Sequence, residues 1–348
     1  RIPHQGRPVD ISRHAGRPGH DTEKHASRMV LSDIPCMRMS MVSDPQVRLQ
    51  LLHACASARP GFWLRTMSPA VTADAAAWYD VRMRDCLSDI LAAAPMPGMS
   101  WDVAVLPCRL GGLGITPAHA SRNHAYYASW AASWHNMTRM FPHAITIPPN
   151  ELASCPLPFA VAMRAAHRSC DSALTAISDN INEHPMPDCV PSSSSIPAPS
   201  DLTQRFPHAQ KRFAGVVSAA RWLGVFDRAT PAFRACLLSQ SQQGANFAFT
   251  AVPSAHHAAM LPLSFITAAQ RRLRMPLNVL AGLHTCKCGA QVDPYGHIRT
   301  GAWHDSIMDV VCKMSRMCNH TMSVDSRRPC AVSAVYSPMW CPDVTLLH

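Results

Sequence analysis

From residue 41 onward, apolar positions recur at helical spacing, and turn residues break the pattern into segments. Asp44 is placed to cap a first helix and Pro45 suits its first turn, with Val47, Leu51, Cys55 and Ala58 predicted on the apolar face. A second helix is predicted over 73–94, with Met83, Leu87, Ile90, Leu91 and Ala94 on one side and Pro95 as its stop. The GGLG at 111–114 reads as a turn, and Thr116-Pro117 opens a third helix. The face of that helix is Tyr127, Trp130, Ala131, Trp134, Met137 and Phe141, spaced like a buried stripe rather than a platform for stacking bases. Helical spacing resumes over 207–226 (Phe213, Val217, Ala220, Leu223), after Thr230-Pro231, and over 261–274, whose end is strongly basic. Residues 244–253 read as a short extended or loop element. Further on, Ile307, Val310, Val311, Met314 and Met317 predict an amphipathic helix, and residues 341–346 predict a strand with Asp343 near its start.

The expected fold class is therefore mainly α, with a small knuckle segment and a short partial α/β element at the end of the chain. Interruptions in the pattern divide it further. Residues 1–40 lack periodicity and carry scattered Gly, Pro and His, so they are expected to be a disordered basic segment. Residues 41–150 form a helical region, 151–200 a Pro/Ser-rich linker with too little apolar pattern to pack, and 201–283 a helical connector. The knuckle occupies 284–304 and the partial α/β element 305–348.

Composition changes this picture in two ways. The 348 residues are 47% hydrophobic and 16% charged, which suits a globular chain with a sizeable core. The net charge of +10 is uneven: residues 201–348 carry 15 Lys and Arg against 7 Asp and Glu, whereas 41–200 carry 10 against 11. That asymmetry fits either a polyanionic partner such as DNA or RNA or a basic protein kept soluble by its charge. No apolar run approaches membrane-spanning length, so no membrane partner is expected. The 14 cysteines are too scattered for a small disulfide scaffold and read as mostly reduced thiols. No phosphate-binding glycine loop, dinucleotide fingerprint or Ser-His-Asp arrangement is present. The first residue is Arg1, and a fragment of a longer reading frame is expected.

One stretch has the residue types of a metal site. In HTCKCGAQVDPYGHIRTGAWHD (284–305), Cys286 and Cys288 flank a single residue, and Gly289 lets backbone N–H groups approach the sulfurs. Asp293-Pro294-Tyr295-Gly296 predicts a type I turn that folds His297 back towards the thiols. Zinc takes four sulfur or nitrogen donors in a tetrahedron, so His304 is the candidate fourth ligand, with Cys312 next. The alternative is a degenerate knuckle that folds without metal. Just upstream, Arg271, Arg272 and Arg274 form a basic cluster suited to phosphate contact, or else a solvated helix end that complements its own dipole.

Four stretches, taken in order, resemble the region after the polymerase palm in reverse transcriptases of non-LTR-type retroelements. They are LQLLHACASARPGFWLRTMSP (49–69) and LPCRLGGLGITPAHASRNHAYYASWAAS (106–133), then RACLLSQSQQGANFAFTAVP (234–253) with FITAAQRRLRMPL (265–277), and finally CKCGAQVDPYGHIRTGAWHDSIMDVV. Phe247 stands where such sequences carry Trp, and the knuckle's final Cys is missing. The resemblance implies a helical thumb-like region over 41–150, a connector, a CCHC-like knuckle and the beginning of an endonuclease-like domain. In that domain Asp343 would be a vestigial metal-binding acid, with Asp325 a second candidate. The Asp-Asp pair of a polymerase palm is absent from the chain, so the implied function is a non-catalytic nucleic-acid-binding remnant. Zinc is implied as its cofactor, Mg²⁺ only for the parent enzyme, and a nuclear location would follow. A metal-dependent endonuclease fragment and a structural helical protein with an incidental Cys/His cluster are the alternatives.

Overall fold

The computed structural model describes residues 41–93, 95–141, 147–180, 196–202, 206–253, 259–282 and 293–295, together with the backbone of two short strands. The described chain is mainly α. Its helices are α1 (Pro45–Leu51), α2 (Gly61–Thr66), α3 (Pro69–Ile90), α4 (Gly98–Ala104) and α5 (Ala118–Met140). They are followed by α6 (Pro158–Asn180), α7 (Ala209–Arg228), α8 (Pro231–Gln240), the single turn α9 (Phe247–Thr250) and α10 (Pro262–Arg272). The strands β1 (Thr321–Val324) and β2 (Val344–Leu347) pair antiparallel, with Thr321 opposite Leu347. Asp343 and the amphipathic helix expected around 307–317 lie outside the described residues.

Local chemistry explains where the helices begin. The Asp44 carboxylate accepts from the N–H groups of Gln46 (2.7 Å) and Val47 (3.1 Å), and Pro45 fills a position that needs no N–H donor. Thr230-Pro231 repeats the device at α8, where the threonine hydroxyl accepts from Phe233 N–H. The buried stripe of the first helix differs from the expected one. Pro45, Leu49, Leu52 and Ala56 are buried at helical spacing, whereas Cys55 is exposed, and the chain continues beyond α1 as a π-helical turn (Leu52–Ala56). The second helix stops at Ile90, as Ala92 adopts a left-handed conformation (φ 49°). Its terminal carbonyls are taken up by distant side chains: Gln270 donates to Leu91 O (2.9 Å) and Asn278 to Ala92 O (2.8 Å).

The core is centred on α5, which packs against α2, α3, α6 and α7. Tyr127, Ala131 and Trp134 are buried as the stripe predicts, Trp130 is half-buried against Phe159, and Phe141, beyond the helix end, is exposed. Tyr127 stacks on Phe213 of α7 with ring centroids 5.8 Å apart and donates its hydroxyl to Pro197 O.

The expected linker over 151–200 is corrected here. It contains the 23-residue helix α6, whose buried face is Ala160, Met163, Ala166, Cys170 and Ile177. These small and soft side chains keep helical spacing, although Pro and Ser dominate the surrounding sequence. The expected separation of 41–150 from 201–283 also gives way: α7 packs on α5, and α10 packs on α1, within one continuous core. Residues 244–253, expected to be extended or loop, contain the helical turn α9.

The GGLG turn is the tightest part of this packing. Leu113 N–H donates to Ala104 O and Gly114 N–H to Leu106 O, so the loop folds back onto the end of α4. A Cβ on Gly112 would overlap the carbonyl oxygens of Leu106 and Val103, both of them backbone atoms that cannot swing aside. Gly112→Ala is therefore expected to lower the unfolding free energy by about 3 kcal/mol, the upper part of the range for overpacking. Gly61→Ala, where a Cβ meets nothing within 4 Å, should be close to neutral in the same urea titration.

Candidate functional site

The predicted phosphate-contacting arginines sit at the end of α10, and their environments differ. Arg272 is buried, only 4% exposed. Its guanidinium donates to three backbone carbonyls: Gly112 O (3.0 Å), Ala245 O (3.1 Å) and Cys108 O (2.8 Å). The same group lies over the Phe249 ring, 4.9 Å from its centroid. Burial pulls its pKa down to about 10, and among the described residues no carboxylate pairs with it. The expectation that Arg272 contacts phosphate is thus corrected: all its donor directions point inward, at the GGLG loop and the turn before α9.

Arg271 and Arg274 are half-buried. Arg274 adopts a left-handed backbone (φ 56°) and lays its guanidinium 4.6 Å from the Tyr295 ring centroid and 6.0 Å from that of Phe233. Asp293 Oδ1 accepts from Tyr295 N–H (2.9 Å), so the beginning of the predicted turn is in place, and Leu277 N–H ties it to Pro294 O (2.8 Å). The candidate zinc ligands Cys286, Cys288, His297 and His304 lie outside the described residues, as do Cys312 and Asp325. Among the described residues, no three His, Cys, Asp or Glu side chains gather as metal ligands, and no helix is long and apolar enough to cross a membrane.

A second constellation was not singled out by the sequence reading. The amino-terminal half of α5 packs against α6 and α7, and the three helices line an open cavity of about 430 Å³. Its wall carries Arg122 and Arg221, the imidazoles of His119 and His124, and the Asn123 amide bonded to Ser169 Oγ (3.0 Å). His124 is buried, and among the described residues its Nδ1 has no hydrogen-bond partner. Burial, reinforced by the Arg221 charge, pushes the His124 pKa down to about 4. At the rim, Asp80 of α3 accepts from Ala118 N–H (2.6 Å) and His119 N–H (3.1 Å), so the start of α5 is already capped. Burial raises the Asp80 pKa to about 6 against the pull of those two bonds and of Arg221. The one sequence signal was three imidazole- or guanidinium-bearing residues within 119–124; Arg221 is about a hundred residues away and carries no local mark.

No protein-family model, curated protein or solved structure matches this chain.

Two expected outcomes follow from this geometry. Removing the Arg272 guanidinium takes a hydrogen bond from three backbone carbonyls and leaves that of Gly112 buried without one, so Arg272→Ala should destabilise the fold by about 3 kcal/mol by denaturant unfolding. Arg272→Lys should recover only part of that loss, because a single ammonium cannot fork to three acceptors.

The rim acid and the wall imidazole should give opposite pH slopes. Asp80, whose pKa is raised on folding from 3.8 to about 6, makes stability fall as pH rises through that window. His124, lowered from 6.5 to about 4, makes stability rise with pH over nearly the same window. Relative to the wild type, the melting temperature of Asp80→Asn should therefore climb more steeply between about pH 4 and 6, and that of His124→Gln less steeply. Parallel curves for all three proteins would refute the assignment.

Proposed function

We propose that the chain is a non-catalytic, nucleic-acid-binding helical piece of a reverse-transcriptase polyprotein of the non-LTR retroelement type, lying outside the polymerase palm. One observation carries the reading. Three of the four stretches that resemble such proteins are joined by long-range hydrogen bonds, the second to the third through Arg272 and the first to the third through Gln50. Arg272, from FITAAQRRLRMPL, holds Gly112 and Cys108 of LPCRLGGLG and Ala245 of GANF. Gln46, just ahead of the first stretch, donates to Ala248 O and accepts from Met260 N–H, and Gln50 within that stretch donates to Phe249 O. Unrelated chance matches have no reason to share an anchor, whereas parts of one inherited folding unit do.

The remaining stretch is the knuckle. Cys286, Cys288, His297 and His304 form the donor set that zinc prefers, and the metal would supply folding energy to a segment with few apolar residues. Asp343 alone is too few carboxylates to hold the Mg²⁺ of a nuclease, which favours binding over cleavage. The excess of basic residues in 201–348 favours a nucleic-acid backbone as the ligand. The burial of Arg272 favours a second reading, a purely structural helical protein.

Binding to duplex DNA and to RNA across a salt series separates the two. In the first reading log K falls linearly with log salt, by about 0.9 per phosphate neutralised on duplex DNA. Binding that ignores salt, or none at low salt, selects the structural protein. Metal analysis of the same sample should give about one zinc per chain, lost in Cys286→Ser, if the knuckle is metallated.

A further inference from the structure

The cavity between α5, α6 and α7 is short of negative charge. Arg221 stands in its wall with neither a hydrogen bond nor a direct ion pair among the described residues, close enough to Asp80 and Asp102 only to feel their charge. Asp102 is already paired with Arg228 (2.9 Å), and Asp80 spends both oxygens on the backbone of Ala118 and His119. Arg122 donates to His119 O of its own helix, which leaves the rest of its fork open. His124 Nδ1 is buried without a partner in the same wall, a costly state for an isolated imidazole.

We propose that this cavity is a binding site for a phosphate group, free or as an ester, held by Arg122 and Arg221 with His119, His124, Asn123 and Ser169 completing the polar wall. Guanidinium forks match tetrahedral oxyanions in geometry, and of the carboxylates near them Asp80 is bonded to the start of α5 and Asp102 to Arg228, while Asp74 reaches only His119. The attraction comes from side chains, since Asp80 already occupies the helix start. The volume of about 430 Å³ exceeds what one phosphate fills, and Ala173, Val217 and Ala220 give the remainder an apolar wall. An organic portion of an ester fits there. This site does not depend on the knuckle or on Arg271 and Arg274, so it stands apart from the reading of function above.

The test is titration of the full chain with inorganic phosphate against chloride of equal ionic strength, followed by calorimetry and melting temperature. Phosphate is expected to bind and to raise the melting temperature. Arg221→Gln and Arg122→Gln should each weaken binding by about tenfold or more. Arg139→Gln, on the exposed far end of α5, should leave binding unchanged. Arg122 is half-exposed and bonded only within its own helix, so its variant is expected to fold even where the Arg221 variant does not. Competition by a 5′-phosphorylated oligonucleotide, but not by its 5′-hydroxyl form, identifies a strand end as the source of the group. Phosphate binding without that competition identifies the free ion or a small ester. No effect beyond chloride, or an effect that survives Arg122→Gln intact, overturns the proposal.

Discussion

A positive charge without a carboxylate sits at the junction on which this fold depends. Placing a guanidinium at 4% exposure carries a large desolvation penalty, and Arg272 offsets it with carbonyl dipoles and one aromatic face instead of a counterion. The three carbonyls come from positions 164, 160 and 27 residues away in the chain, so the bonds exist only when α10, the GGLG loop and the segment before α9 are already in register. Gln270, two residues earlier in the same helix, does the same for the end of α3. Two buried polar side chains on one short helix thus decide how the first and last thirds of the described chain meet. An apolar pair of similar size would bury area as well, but it would not specify which backbone groups must face it.

Helices whose cause is local were readable in the sequence. Asp44-Pro45, Thr230-Pro231 and the aromatic stripe of α5 each act within a few residues, and the structure places an element at each. What was not readable depends on distant partners. Helix α6 hides its face in alanine, methionine and cysteine, so a scan for large apolar residues passes over it. The short α2 and α4 hold their shape through packing and loop contacts rather than through periodicity. The π-helical turn after α1 is announced by no pattern of residue types. Of the candidate site, the sequence marked Arg271, Arg272 and Arg274 as a charged cluster but could not say that the middle one turns inward. The cavity residues were invisible for the same reason, being spread over three helices.

These two basic constellations carry opposite lessons about arginine. At the junction each guanidinium nitrogen donates to a backbone carbonyl, so the charge is a structural device. In the cavity Arg221 has no hydrogen bond among the described residues and a buried imidazole nitrogen is left alone, which is the pattern of a site that awaits a ligand. A count of positive charge along the chain treats both alike. Hydrogen-bond bookkeeping separates them.

Helix α3 joins the two. Its Asp80 caps the start of α5 at the cavity rim, and its last carbonyls are held by Gln270 and Asn278 beside the Arg272 junction. From Asp80 to Leu91 is about 16 Å of helix axis at 1.5 Å per residue, a rigid strut with a titratable group at one end and the fold's anchor at the other. A change in charge at the rim therefore acts on the start of α5 directly and reaches the junction only by moving α3 as a whole. Because α3 is packed along its length by Met83, Leu87 and Ile90, all at most 2% exposed, such a movement would have to open the core. The cavity can gain or lose an anion while the junction stays fixed, so the proposed binding site and the Arg272 anchor occupy separate parts of the same core.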